Sequence, residues 1–157
     1  MIDDGDVSKS TIRLLVFQAL KHWPIKPLFC LLYDEDCIVR SAAACELHHR
    51  GDADTFERLK GCIADSRPYV REMGAFTLGQ LGTPERPFRE ESIPLLMELL
   101  DDTDAEVRAT AVSSFGHLFS GDMQRFFIAL PSASIQIVRQ NYENRRNRQD
   151  SRRIGYS

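Results

Sequence analysis

The chain has 157 residues, 43% apolar and 27% charged, the proportions of an ordinary soluble domain with a real core. Its net charge of −3 divides unevenly. From Arg139 onward six arginines face only Glu143 and Asp150, so a tail of +4 follows a body of −7. No apolar stretch approaches the roughly 18 residues of a membrane span, and the acidic start (Asp3, Asp4, Asp6) argues against a secretory signal. Cys30, Cys37, Cys45 and Cys62 lack the spacing of a disulfide framework, so reduced thiols in a cytoplasmic protein are expected.

In chain order, residues 1–10 read as a flexible N-terminus. From Thr11 the positions Ile12, Leu15, Val16, Ala19, Leu20 and Trp23 follow helical spacing, with Ser10 as N-cap and Pro24 and Pro27 as terminators. A short helix over Pro27–Tyr33 and a turn at Asp34-Glu35-Asp36 lead into a helix over Ile38–His49, stopped by Gly51. Asp54 and Glu57 have capping-box spacing before the stripe Phe56, Leu59, Cys62, Ile63. Pro68 fits the first turn of the next helix. The Pro-rich stretch from Gly82 to Glu91 reads as a connector. Ile93–Leu100 then forms a helix, and Asp104 caps another that runs to about Leu118.

A repeat underlies this order. Val39-Arg40, Val70-Arg71 and Val107-Arg108 are 31 and then 37 residues apart. Five residues before each valine stands Asp34, Asp65 or Asp102. Four after it stands Ala43, Gly74 or Ala111, and eight after it Leu47, Leu78 or Phe115. At about 100° per residue these positions form one buried stripe, and the small residues let a partner helix approach. The aspartates and arginines are expected to form a ladder, each carboxylate accepting from a helix N-terminus or a neighbouring repeat's guanidinium. A decayed fourth copy at Val138-Arg139 begins near residue 122, with Ala133 where the aspartate would stand.

These residues resemble the HEAT repeat family. The resemblance implies an all-α, right-handed α-solenoid (superhelix) of about four helix pairs over residues 11–148, capped at its N-terminus by the first helix, with 149–157 as a flexible basic tail. The stretches IVRSAAACELHHRGD and VREMGAFTLGQLG are similar to bacterial HEAT proteins encoded beside Rhs-type polymorphic toxins, although the chain is short for that group. This narrower resemblance implies an immunity protein that binds and neutralises a cognate toxin domain. The alternatives are a general HEAT scaffold or adaptor, and a nucleic-acid-binding module using the Arg-rich C-terminus, for which the tail is short and interrupted by acids.

Catalysis is not expected. No Gly-rich phosphate loop precedes a helix, and no serine or cysteine lies in a nucleophile motif. The histidines are followed by Trp, His, Arg and Leu, without the His-Glu dipeptides of iron-binding HEAT hydroxylases. Cys45, Glu46, His48 and His49 have no second Cys/His pair at zinc spacing, so neither metal nor cofactor is expected.

The candidate protein-binding surface lies opposite the stripe, on the second helix of each pair, expected to line the concave side. Its rows are Ser41, Glu72, Ala109; Cys45, Phe76, Ser113; and His49, Gln80, His117. Phe76 is the candidate anchor and Glu72 an anionic rim. The acidic turns, Asp34, Glu35, Asp36 and Asp101, Asp102, Asp104, form an edge suited to steering a basic partner such as a toxin domain.

Overall fold

The computed structural model describes residues 9–119, which contain seven α-helices and, among these residues, no strand. They are α1 Lys9–Leu20, α2 Ile25–Leu31, α3 Cys37–His48, α4 Ala53–Ile63, α5 Pro68–Gln80, α6 Arg89–Glu98 and α7 Ala105–Leu118, with a 3-10 turn Leu99–Asp101 after α6. Three antecedent–successor pairs form: α2 on α3, α4 on α5, and α6 with its 3-10 turn on α7. The second helices α3, α5 and α7 pack side by side, and α1 continues that row against α3. This is the expected all-α solenoid. The decayed fourth copy and the basic tail lie outside the described residues.

The repeat positions form its core. Leu47, Val70, Val107, Ala43, Ala111 and Phe115 are fully buried, and Leu78 nearly so. Val39, in the end pair, is only half-buried. The glycines of α5 mark close approaches on two sides. A Cβ at Gly74 would lie 3.0 Å from Ile63 Cγ2 and 3.1 Å from Cys62 Cβ on α4. A Cβ at Gly79 would collide with Ser114 of α7, coming within 2.6 Å of its Cα. The loops after α3 and α5 also meet. Gly82 N donates to His48 O at 2.7 Å, and both Gly51 (φ 57°) and Gly82 (φ 66°) adopt left-handed backbone, where glycine avoids the Cβ penalty.

Several helix starts differ from the expectation. α1 already includes Lys9 and Ser10, so Ser10 is not its N-cap. The cap of α4 is Asp52, whose Oδ1 accepts from Thr55 N at 2.8 Å and whose Oδ2 accepts from Thr55 Oγ1 at 3.1 Å. The helix therefore begins two residues earlier, and Asp54 pairs with Arg58 one turn on. α6 begins at Arg89, inside the expected connector. Phe88 O accepts from both Ser92 N and Ser92 Oγ, Glu90 and Glu91 lie in the positive first turn, and Arg89 Nε donates to Leu118 O at 2.8 Å.

The terminal helix departs most. Its expected stripe is split: Val16 and Phe17 are half-buried and Leu20 buried, while Ile12, Leu15 and Trp23 are 45%, 61% and 41% exposed. Among the described elements α3 is the substantial neighbour of α1, so the side of α1 that faces α3 finds cover.

Candidate protein-binding face

The three rows fall on adjacent helices. Ser41, Glu72 and Ala109 are half-buried, as are Cys45, Phe76, Ser113 and Gln80, whereas His49 and His117 are exposed. α3 packs against α5 and α5 against α7, and two contacts cross between them next to the rows, His48 with Phe76 and Thr110 with Glu72.

Phe76 sits at the centre. Its inner edge packs on the core, and His48 of α3 stands edge-on to its ring at 6.3 Å. His48 also lies against His49, with ring centroids 3.9 Å apart. Burial, and then the neighbouring His49, push the His48 imidazole down to about 4, so at neutral pH it is an uncharged wall beside Phe76. One turn before Phe76, Glu72 accepts from Thr110 Oγ1 of α7 at 3.4 Å. Burial, and then the nearby Glu106 charge, raise its carboxyl above the usual range. A half-buried anion held by one long hydrogen bond gains from an incoming cation. At the His49 end, the Gly51 and Gly82 loops border a surface pocket of about 190 Å³ that also touches Arg50 and Glu85.

Most of the acidic edge is occupied by turn chemistry. Asp34, Asp65 and Asp102 each accept, through Oδ1, from the backbone N–H two residues on, at 2.8, 2.9 and 2.8 Å. Asp36 and Asp104 cap α3 and α7. Glu35 and Asp101 remain exposed. The repeat arginines clamp the same turns. Arg40 Nη1 donates to Asp34 O and Glu35 O, Arg71 Nη1 to Asp65 O and Ser66 O, and Arg108 Nη1 to Asp102 O and Thr103 O. The expected ladder between repeats forms between Arg71 and Asp102. At the preceding step, Asp65 is taken by Arg67 instead, and Arg40 stacks over Tyr69 at 4.7 Å.

A family model described as HEAT repeats matches residues 25–116, more than half of the chain. The chain belongs to the HEAT repeat family. Among solved structures it is similar to the X-ray structure of YibA from E. coli, with 26% identity and a TM-score of 0.64. The match covers 78% of this chain and 44% of YibA, so the chain spans less than half the length of that relative. No curated protein matches. The matched HEAT segment runs from the start of α2 to within α7, and so contains every candidate residue on the face except His117.

Two residues of this HEAT face were not among the sequence candidates. His48 lies nine positions after the repeat valine, at about 180° on the helix, and Thr110 three after, at about 300°. The candidate rows spanned only about 200–280°, and a wider sector includes both.

Proposed function

We propose that this HEAT chain is a non-catalytic protein-interaction module whose α3–α5–α7 face engages a basic protein surface. In its sharpest form it is a bacterial immunity protein that covers a cognate toxin domain and neutralises it by occlusion. The observation that carries this reading is Phe76. It is a half-buried aromatic at the centre of three adjacent helices, with the uncharged His48 ring beside it and the Glu72 carboxylate one turn away. An aromatic backed by core packing and ringed by polar groups has the form of an interface anchor.

The surrounding charge supports a cationic partner. Residues 34–119 hold seventeen acidic against nine basic side chains, an excess that speeds encounter with a basic protein and repels a phosphate backbone. Glu72 would meet a lysine or arginine of the partner, and exposed Glu35 and Asp101 would steer it. Among the described residues no helix is long and apolar enough to cross a membrane, and a cytoplasmic location belongs to the same proposal.

Co-expression with the product of the adjacent gene tests the reading. The expected result is relief of that product's toxicity and a complex that survives gel filtration. Unchanged toxicity together with no complex would dismiss the immunity role.

A further inference from the structure

Two carboxylates of the α5–α7 seam are left over from the fold's own pairing. Glu46, Asp54, Glu57, Asp65, Glu90 and Asp102 each meet a cation of the described residues. Glu72 on α5 and Glu106 on α7 are in no such pair, although the Glu106 charge bears on Glu72. Arg40 also bears on Glu72, but its guanidinium is committed to Asp34 O, Glu35 O and the Tyr69 ring. Thr110, which donates to Glu72 across the seam, stands one turn after Glu106 on α7, and Phe76 one turn after Glu72 on α5. Positions four apart share a helix face. The seam therefore presents two like charges beside a half-buried aromatic, a setting that favours a planar guanidinium.

The chain carries its own supply of that group. Arg139, Arg145, Arg146, Arg148, Arg152 and Arg153 against Glu143 and Asp150 make its C-terminus basic, while residues 34–119 are acidic. The described residues end at Phe119, directly after α7, and Arg145 lies 26 residues further on. Even at a helical rise of about 1.5 Å per residue, that length exceeds the roughly 8–10 Å between packed helices. A tethered segment of this kind has an effective concentration of about a millimolar, well above that of a second copy in dilute solution.

We infer that the arginine-rich C-terminus of the chain docks on its own α5–α7 seam, a guanidinium between Glu72 and Glu106 and against the Phe76 ring, and that a partner must displace it. The displacement rests on the reading of this face as the binding surface. The docking itself is tested without a partner, so its failure and the failure of that reading are told apart.

A synthetic peptide of residues 139–157 is titrated into the full chain and into a full-length variant in which Arg145, Arg146, Arg148, Arg152 and Arg153 are changed to glutamine. The expected result is a saturable movement of the Glu72, Phe76 and Thr110 amide NMR signals in the variant. Binding to the wild type is roughly tenfold weaker, because its own tail competes. Adding Glu72→Gln and Glu106→Gln to the variant, with circular dichroism unchanged, removes the movement at Phe76 and Thr110. Equal affinity for wild type and variant, or movement that survives Glu72→Gln/Glu106→Gln, overturns the proposal. Should the variant lose its helical circular dichroism, the wild type decides alone. Raising salt from about 50 mM to about 0.5 M then moves the three signals together, equally in dilute and concentrated samples. Signals that stay put, or that move with protein concentration as docking on a second copy requires, overturn it.

Discussion

Arg71 grips Asp102 across two repeats with a pair of parallel hydrogen bonds, Nε to Oδ2 at 2.7 Å and Nη2 to Oδ1 at 2.8 Å. The two side chains are only 13% and 7% exposed. The same guanidinium donates to Asp65 O and Ser66 O, so one side chain ties the turn before α5 to the turn before α7. Removing one partner of a buried pair leaves the other charge uncompensated, at about 3 kcal/mol or more. Arg71→Ala is expected to lower the urea midpoint by a corresponding amount, with Arg71→Lys recovering only part, because lysine lacks the planar fork. Arg40→Ala is expected to cost less, since Arg40 holds its turn but no carboxylate. Equilibrium unfolding of the three variants checks the order.

The hydrogen bonds from Arg71 hold the Asp102 carboxyl below its usual range, and those from Arg67 hold Asp65 at about 2. Both contribute stability that is complete above the unfolded value near 3.8 and lost as pH falls through the folded value. His48 acts earlier and in the same direction. Its folded pKa is about 4 against 6.5 unfolded, so the unfolded chain takes up a proton first and stability falls from pH 6.5 towards 4. His48→Gln is expected to flatten that part of the stability–pH curve while leaving the lower part intact. Urea midpoints at half-unit pH steps read both windows.

Two glycine substitutions are expected to have opposite signs. A Cβ at Gly79 meets Ser114 backbone atoms, Cα at 2.6 Å and O at 2.9 Å, which no rotamer change relieves. Forced separation of α5 and α7 costs roughly 1–3 kcal/mol, more than the helix propensity gained. Gly61 in α4 has nothing within 4 Å of the same position. Gly61→Ala is therefore expected to stabilise by up to about 1 kcal/mol. Thermal unfolding of the pair measures both.

The stack was legible in the sequence because each repeat has the same work to do: an aspartate turn, a buried valine, a small residue at the helix contact. Asp104 as cap and Leu118 as the end of α7 could be read directly. The carbonyl clamps of Arg40, Arg71 and Arg108 could not, because backbone oxygens leave no mark on composition. Asp52 and Asp54 compete for one cap, and the choice falls to Thr55, which bonds Asp52 twice. The exposure of Leu14 and Leu15 was hidden for another reason. An apolar helix reads the same whether or not an outer helix covers it.

Phe76 provides the most direct test of the binding face. The measurement is the dissociation constant of the complex between this chain and its protein partner, by calorimetry, for the wild type, Phe76→Ala, Glu72→Lys and Leu14→Glu. Truncating a central aromatic anchor costs 2 kcal/mol or more, roughly thirtyfold. An anchoring role for Phe76 with Glu72 beside it entails a loss of that order for Phe76→Ala, a comparable loss that depends on salt for Glu72→Lys, and little change for Leu14→Glu. Full affinity in both Phe76→Ala and Glu72→Lys would contradict it.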